Sequence, residues 1–100
     1  MNDKELLHKV VTVYGSEQDE MLIEEAAEVV HAIQKVKRAE KHGTDIELHE
    51  AREHLVEELV DLGIMLEQME IRYPYKALRK RIRTLKLGKL AKKMGETDEA

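Results

Sequence analysis

The chain carries a single proline, Pro74, and its glycines stand only at 15, 43, 63, 88 and 95. Between these breakers run long segments rich in Ala, Leu, Glu, Lys and Gln, the residues that lose least on entering a helix. No segment alternates apolar and polar residues at the period of two that a half-buried strand requires. The chain is therefore read as all-α. A first helix covers Asp3 to Tyr14, with Asp3 as N-cap and an apolar stripe of Leu6, Leu7, Val10, Val11 and Tyr14. Gly15 ends it, and Ser16 can cap a second helix from Glu17 to Lys41, which places Leu22, Ile23, Ala26, Val29, Val30, Ile33 and Val36 on one face. His42 to Asp45 is a polar turn. The third helix runs from Ile46 to Arg72, with Leu48, Leu55, Val56, Leu59, Leu62, Leu66 and Met69 inward. Tyr73 is steered out of the helical region by the proline that follows it. Pro74 then opens a fourth helix that reaches about Met94, and residues 95–100 form a polar tail expected to fray. Two long helices joined by a short turn must be antiparallel neighbours. The expected architecture is a single four-helix, bundle-like domain over residues 1–94, with the first and fourth helices packing on the long pair within the chain or across a dimer.

Composition narrows the class. With 100 residues, 42% hydrophobic and 38% charged, the chain has a modest core and much surface, so burial gained by oligomerising is expected. The absence of cysteine excludes disulfides, thiolate–zinc sites and thiol nucleophiles. The first residues, MNDKELLHKV, lack the apolar run of a signal peptide, and no stretch approaches transmembrane length, so a soluble, cytoplasmic protein is expected. The net charge of −4 conceals an asymmetry. Residues 1–71 hold 18 acids and 7 bases, whereas residues 72–93 hold 10 bases and no acid. Such a division suits an internal electrostatic pair, a phosphate-binding wall or a nucleic-acid arm.

Chemistry concentrates in two acid turns inside the most apolar helical stretches, Glu24-Glu25-Ala26-Ala27-Glu28 and Glu57-Glu58-Leu59-Val60-Asp61. The stretch from Leu22 to Ile33 aligns with that from Leu55 to Leu66 at a constant offset of 33 residues, acid falling on acid at all three places. At about 100° per residue, Glu25 and Glu28, like Glu58 and Asp61, form an i, i+3 pair along the same flank of the core face. Antiparallel packing can bring the two pairs together as four carboxylates around one pocket. Clustered carboxylates repel and raise each other's pKa unless a cation sits among them. Hard oxygen donors select Mg²⁺, with Mn²⁺ as a substitute, over zinc, and Mg²⁺ commonly bridges to substrate phosphates. Glu24 lies further from the core and can orient or deprotonate an attacking water; Glu57 is read as structural.

These residues resemble the MazG-like all-α nucleotide pyrophosphohydrolases, a superfamily that includes dimeric dUTPases and phosphoribosyl-ATP pyrophosphatases. The resemblance rests on Glu24-Glu25-x-x-Glu28 and Glu58-x-x-Asp61, which are similar to the family's EExxE and ExxD motifs. Two flanking features add to it: Tyr14-Gly15-x-x-Gln18, and Lys86-Leu87-x-Lys89-Leu90-x-x-Lys93, similar to a basic KLxRLxxR-type segment. It covers about residues 10–94. It implies Mg²⁺-dependent hydrolysis of a nucleoside triphosphate, often a deoxynucleotide, to the monophosphate and pyrophosphate. Glu25, Glu28, Glu58 and Asp61 would hold the ion, which polarises the phosphates and activates water. Glu24 would act on that water. Lys86, Lys89 and Lys93 would neutralise the triphosphate, from a neighbouring subunit of a homodimer or homotetramer. Lysine stands where the family often has arginine, and lysine binds phosphate as a point charge without the bidentate fork. Gln18 lies in line with Glu25 and Glu28 and can reach the sugar or base.

Other readings compete. Glu28-x-x-His31 is an ExxH of the kind found in di-iron bundles. The matching place on the third helix holds Asp61-x-x-Ile64, and His31 points away from the core, so a di-iron site is not expected. His8, His42, His49 and His54 are read as surface residues, and Met65 and Met69 as core or interface filler. The basic run at 72–93 also suits a nucleic-acid-binding helical module, but only Tyr73 and Tyr75 offer base-stacking rings there and the body is acidic. A helical dimerisation domain without catalysis is the third class.

Overall fold

The computed structural model describes residues 1–99, with side chains described as far as Glu96. It is all-helical over those residues: α1 Asp3–Tyr14, α2 Glu17–His42, α3 Asp45–Arg72 and α4 Lys76–Glu99. The breakers and caps explain these limits. Asn2, one residue before the expected Asp3, caps α1, its side chain accepting from the Glu5 amide. Gly15 closes α1 at φ 55°, a left-handed conformation that costs a residue with a Cβ about 1 kcal/mol or more. Ser16 does not cap α2 through its side chain, contrary to expectation. Its backbone is already helical, and the Gln18 and Asp19 amides bond back to the carbonyls of Gly15 and Ser16. Gly43 ends α2 where a Cβ would stand 2.9 Å from the Ala39 backbone, and Thr44 caps α3 by accepting from the Glu47 amide. Pro74 lies outside α4; the first-turn bond runs from the Arg79 amide to the Tyr75 carbonyl. Helix α4 continues through Gly88 and Gly95 to Glu99, where a fraying tail was expected; Ala100 lies outside the described residues.

Helices α2 and α3 form the only extensive helix pairing among the described residues, with α1 packed chiefly on α3. Gln18 meets Gln68 and Asp19 meets Arg72, while Glu25 lies against Asp61, so the two helices run antiparallel. Their contact is a heptad seam. On α2 it comprises Gln18, Leu22, Glu25, Val29, Ala32, Val36 and Ala39; on α3, Ala51, His54, Glu58, Asp61, Met65, Gln68 and Arg72. Both series advance in alternating steps of three and four, and every member is buried or half-buried. The apolar interior reduces to Val29, Ala32, Val36 and Met65.

This seam turns the long helices partway from the expected orientation: Leu22, Val29 and Val36 of the expected inward face lie in it. The stripe expected inward is largely open: Ile23 is 70% exposed and Val56 60%, with Val30, Ile33, Leu59 and Leu66 also exposed. The acid flank, together with Leu22, Val29 and Val36 from the apolar face, meets the neighbouring helix. Nor do the four helices close into a bundle within one chain, because α4 packs extensively on none of the others. A 24-residue helix is about 36 Å long, and a two-helix hairpin is only about 20 Å wide. Overall extents of 44 × 39 × 23 Å therefore require α4 to project sideways from the hairpin.

The root of α4 is fixed by a polar clasp. Arg72 donates to both carboxylate oxygens of Asp19, at 3.2 and 3.0 Å, and the Tyr73 hydroxyl donates to the same carboxylate. The Arg72 guanidinium, followed by the Tyr73 hydroxyl, holds the Asp19 carboxyl below its ordinary range. Arg79 then donates to the Tyr73 carbonyl, tying the first turn of α4 to the end of α3. Beyond the clasp, a cleft of about 870 Å³ separates α4 from α1 and α3, with Asp3, Glu67 and Glu70 facing Lys76, Arg79 and Arg83.

Candidate metal centre

The middle of the α2–α3 seam is acidic. Glu25 from α2 and Glu58 and Asp61 from α3 each offer a carboxylate oxygen, and the three oxygens lie within 4.8 Å of one another. The 33-residue offset accounts for Glu25 and Glu58, while Asp61 joins them and its counterpart Glu28 stays outside. The offset gives each helix an acid at the same seam position, and antiparallel pairing then sets the two positions against each other. Glu58 is the most enclosed, its side chain 12% exposed. The Glu25 carboxyl is pushed above its ordinary range, first by desolvation and then by the charges of Asp61, Glu58, Glu28 and Glu24.

The donor set suits a hard divalent cation. Opposed oxygens around Mg²⁺ at about 2.1 Å are about 4.2 Å apart, so three carboxylates at the observed spacing reach such an ion with small side-chain adjustments. A cation there would also offset the neighbouring charges that, after desolvation, add to the raising of Glu25.

The remaining expected ligands and contacts fall elsewhere. Glu28 is exposed; it contributes to the field on Glu25 but is not one of the converging three. Glu24 and Glu57 are exposed, on the outer side of the pair. Gln18 does not line an open site, as expected of a sugar or base contact. It is 9% exposed, and its amide donates to Gln68 at 2.6 Å, two helical turns along the seam from Glu25. Lys86 lies on α4 in a groove with Tyr73, Tyr75, Leu78 and Leu87, and Lys89 and Lys93 follow on the same exposed helix. One chain does not bring these lysines onto the acid centre, because α4 leaves the hairpin at its end.

His54, read as a surface residue, keeps 43% of its side chain exposed at the edge of the seam, one turn before Glu58, with Nε2 3.6 Å from the Glu58 carboxylate. The signal was present in the sequence: His54, Glu58 and Asp61 are spaced four and three apart, on one line of the heptad. His31 is exposed, on the far side from the seam.

Compared with family models, curated proteins and solved structures, the chain matches none. Among the described residues, no helix is long and apolar enough to cross a membrane.

Proposed function

We propose that the chain is a Mg²⁺-dependent nucleoside triphosphate pyrophosphohydrolase, acting on a deoxynucleotide in cytoplasmic nucleotide-pool housekeeping. The observation that carries this reading is the convergence of Glu25, Glu58 and Asp61 from two pseudo-repeated helices into one half-buried seam. Three acids placed there weaken the helix pairing unless a cation offsets them. A cation held by carboxylates on one side keeps positions for phosphate oxygens on the other. Mg²⁺ supplies charge to polarise the phosphates and to lower the pKa of water. In this reading Glu25, Glu58 and Asp61 hold the ion, with Glu28 joining them by a side-chain rotation on the exposed edge. Glu24, one residue from Glu25 and open to solvent, takes the proton of the attacking water. The water attacks the α phosphorus, the α–β bridging bond breaks, and pyrophosphate leaves with the bridging oxygen. Lys86, Lys89 and Lys93 reach the triphosphate only from a second copy, so the active species is a homodimer or homotetramer in which the helices complete a bundle.

The test is release of pyrophosphate from a panel of ribo- and deoxynucleoside triphosphates with Mg²⁺ or Mn²⁺. Wild type should release pyrophosphate, not orthophosphate, from at least one of them. Asp61→Asn and Glu58→Gln should abolish turnover with helicity unchanged. Full activity in both variants, or no pyrophosphate from any nucleotide with either ion, sinks the reading.

A further inference from the structure

We propose that the cleft between α4 and the α1–α3 pair is a second ligand site, separate from the acid centre, that binds a nucleoside polyphosphate without a metal ion. The cleft holds about 870 Å³, within the range of small-molecule sites. It lies away from the acid seam. At about 100° per residue, Glu67, Glu70 and Ile71 of its wall stand about 180–280° around α3 from Asp61, so the cleft opens on the opposite side of that helix.

The walls of the cleft divide by charge. The α4 wall presents Lys76, Arg79, Lys80 and Arg83 and no acid. These bases stand at i, i+3, i+4 and i+7, so they share one helix face over about 10 Å, long enough to follow a chain of phosphates. The opposite wall, from α1 and α3, carries Asp3, Glu67 and Glu70. Among the described residues, none of Lys76, Lys80 and Arg83 forms an ion pair with these acids or with any other. The two walls do not neutralise each other, and the cationic face is left to an anion from outside. Part of that face is already fixed. Arg79 donates to the Tyr73 carbonyl, and the Asp19 clasp holds Arg72 and Tyr73, so little ordering is lost when a ligand enters.

The rest of the lining selects the kind of anion. Leu7, Ile71 and Pro74 supply its apolar part, which suits a ring. Carboxylates accept hydrogen bonds from hydroxyls, as acidic residues do from ribose in dinucleotide sites, so Glu67 and Glu70 suit a sugar. Inorganic polyphosphate would use the bases alone, leave the apolar part bare and be repelled by the acids. An acidic peptide would set its carboxylates against Glu67 and Glu70. A molecule that joins phosphates, a ring and hydroxyls answers all three parts of the lining.

The test does not depend on catalysis. The full chain is titrated by calorimetry in EDTA with α,β-methylene analogues of the nucleoside triphosphates, which cannot be cleaved between those two phosphates. Wild type should bind at least one analogue. Lys80→Ala/Arg83→Ala, in which alanine preserves the helix, should weaken binding about tenfold or more, because two charge-assisted contacts are lost. Asp61→Asn, which disables the acid centre, should leave this affinity unchanged. Glu67→Ala/Glu70→Ala should weaken the analogue but not inorganic triphosphate. No binding of any analogue, undiminished affinity in Lys80→Ala/Arg83→Ala or in Glu67→Ala/Glu70→Ala, loss of binding in Asp61→Asn, or inorganic triphosphate bound as tightly as the nucleotide would each overturn the proposal. Binding of the analogue by a protein that releases no pyrophosphate would leave the proposal standing and remove only the catalytic reading.

Discussion

Replacing Glu25 by Gln separates a metal centre from an ordinary acid patch. The carboxylate oxygens of Glu25, Glu58 and Asp61 lie within 4.8 Å, so each pair of charges costs about 0.9 kcal/mol in water and about 3.5 kcal/mol at an effective permittivity of 20. Glu25 and Asp61 are half-exposed, so solvent screening places the cost near the lower figure. Neutralising Glu25 removes its repulsion with two neighbours, about 2 kcal/mol at pH 7. At roughly 5 °C per kcal/mol for a domain of this length, the variant should melt about 10 °C above wild type in EDTA. The sign of the pH dependence follows from the raised pKa of Glu25. The folded chain binds that proton more tightly than the unfolded chain. Metal-free wild type therefore loses stability as pH rises from the ordinary glutamate value through the folded one, and Glu25→Gln should flatten that fall. Magnesium should reverse the order. At a concentration a hundredfold above its Kd the ion stabilises wild type by about 2.7 kcal/mol, whereas the variant, short of one ligand, should gain far less. The assay is thermal unfolding by circular dichroism at fixed protein concentration, with EDTA or Mg²⁺, from pH 4 to 8. A variant less stable than wild type in EDTA, or an equal response of both proteins to Mg²⁺, would refute the reasoning.

The buried Gln18–Gln68 pair predicts a non-additive cycle. Gln18→Leu alone leaves the Gln68 carbonyl oxygen without its donor and should cost about 1–3 kcal/mol, while the double change to leucine should recover most of that loss in urea titrations. Asp19→Asn removes the charge from the clasp. Because the Asp19 pKa is lowered in the folded chain, its contribution is present above the ordinary aspartate value and lost as pH falls through the folded one. The variant should show faster hydrogen exchange across residues 72–79 at neutral pH and a smaller difference from wild type in acid. His54→Ala should leave helicity intact but weaken Mg²⁺ binding several-fold by calorimetry, since it removes the group beside Glu58 in the seam.

Much of the local structure was legible before any coordinates. Gly15, Gly43 and the Tyr73–Pro74 pair mark the breaks between helices to within a residue or two, because a breaker acts through its own backbone and needs no neighbour. The repeated acid turns were legible in part: the constant offset sends Glu25 and Glu58 to equivalent seam positions, whereas Asp61 enters the centre and its counterpart Glu28 does not. What the sequence could not rank was the two faces of each long helix. Ile23, Val30, Val56 and Leu59 make the more apolar stripe, and an apolar stripe reports only that something must cover it. Tertiary structure gave the inner place to the heptad of Gln18, Glu25, Val29 and Ala32, whose small and polar members let α2 and α3 approach closely and bond across the seam. That choice drew Gln68 inward to pair with Gln18, and left much of the apolar stripe and α4 outside. The physical reason is that helix periodicity records which residues share a face, whereas only packing decides whether that face meets its own chain or another.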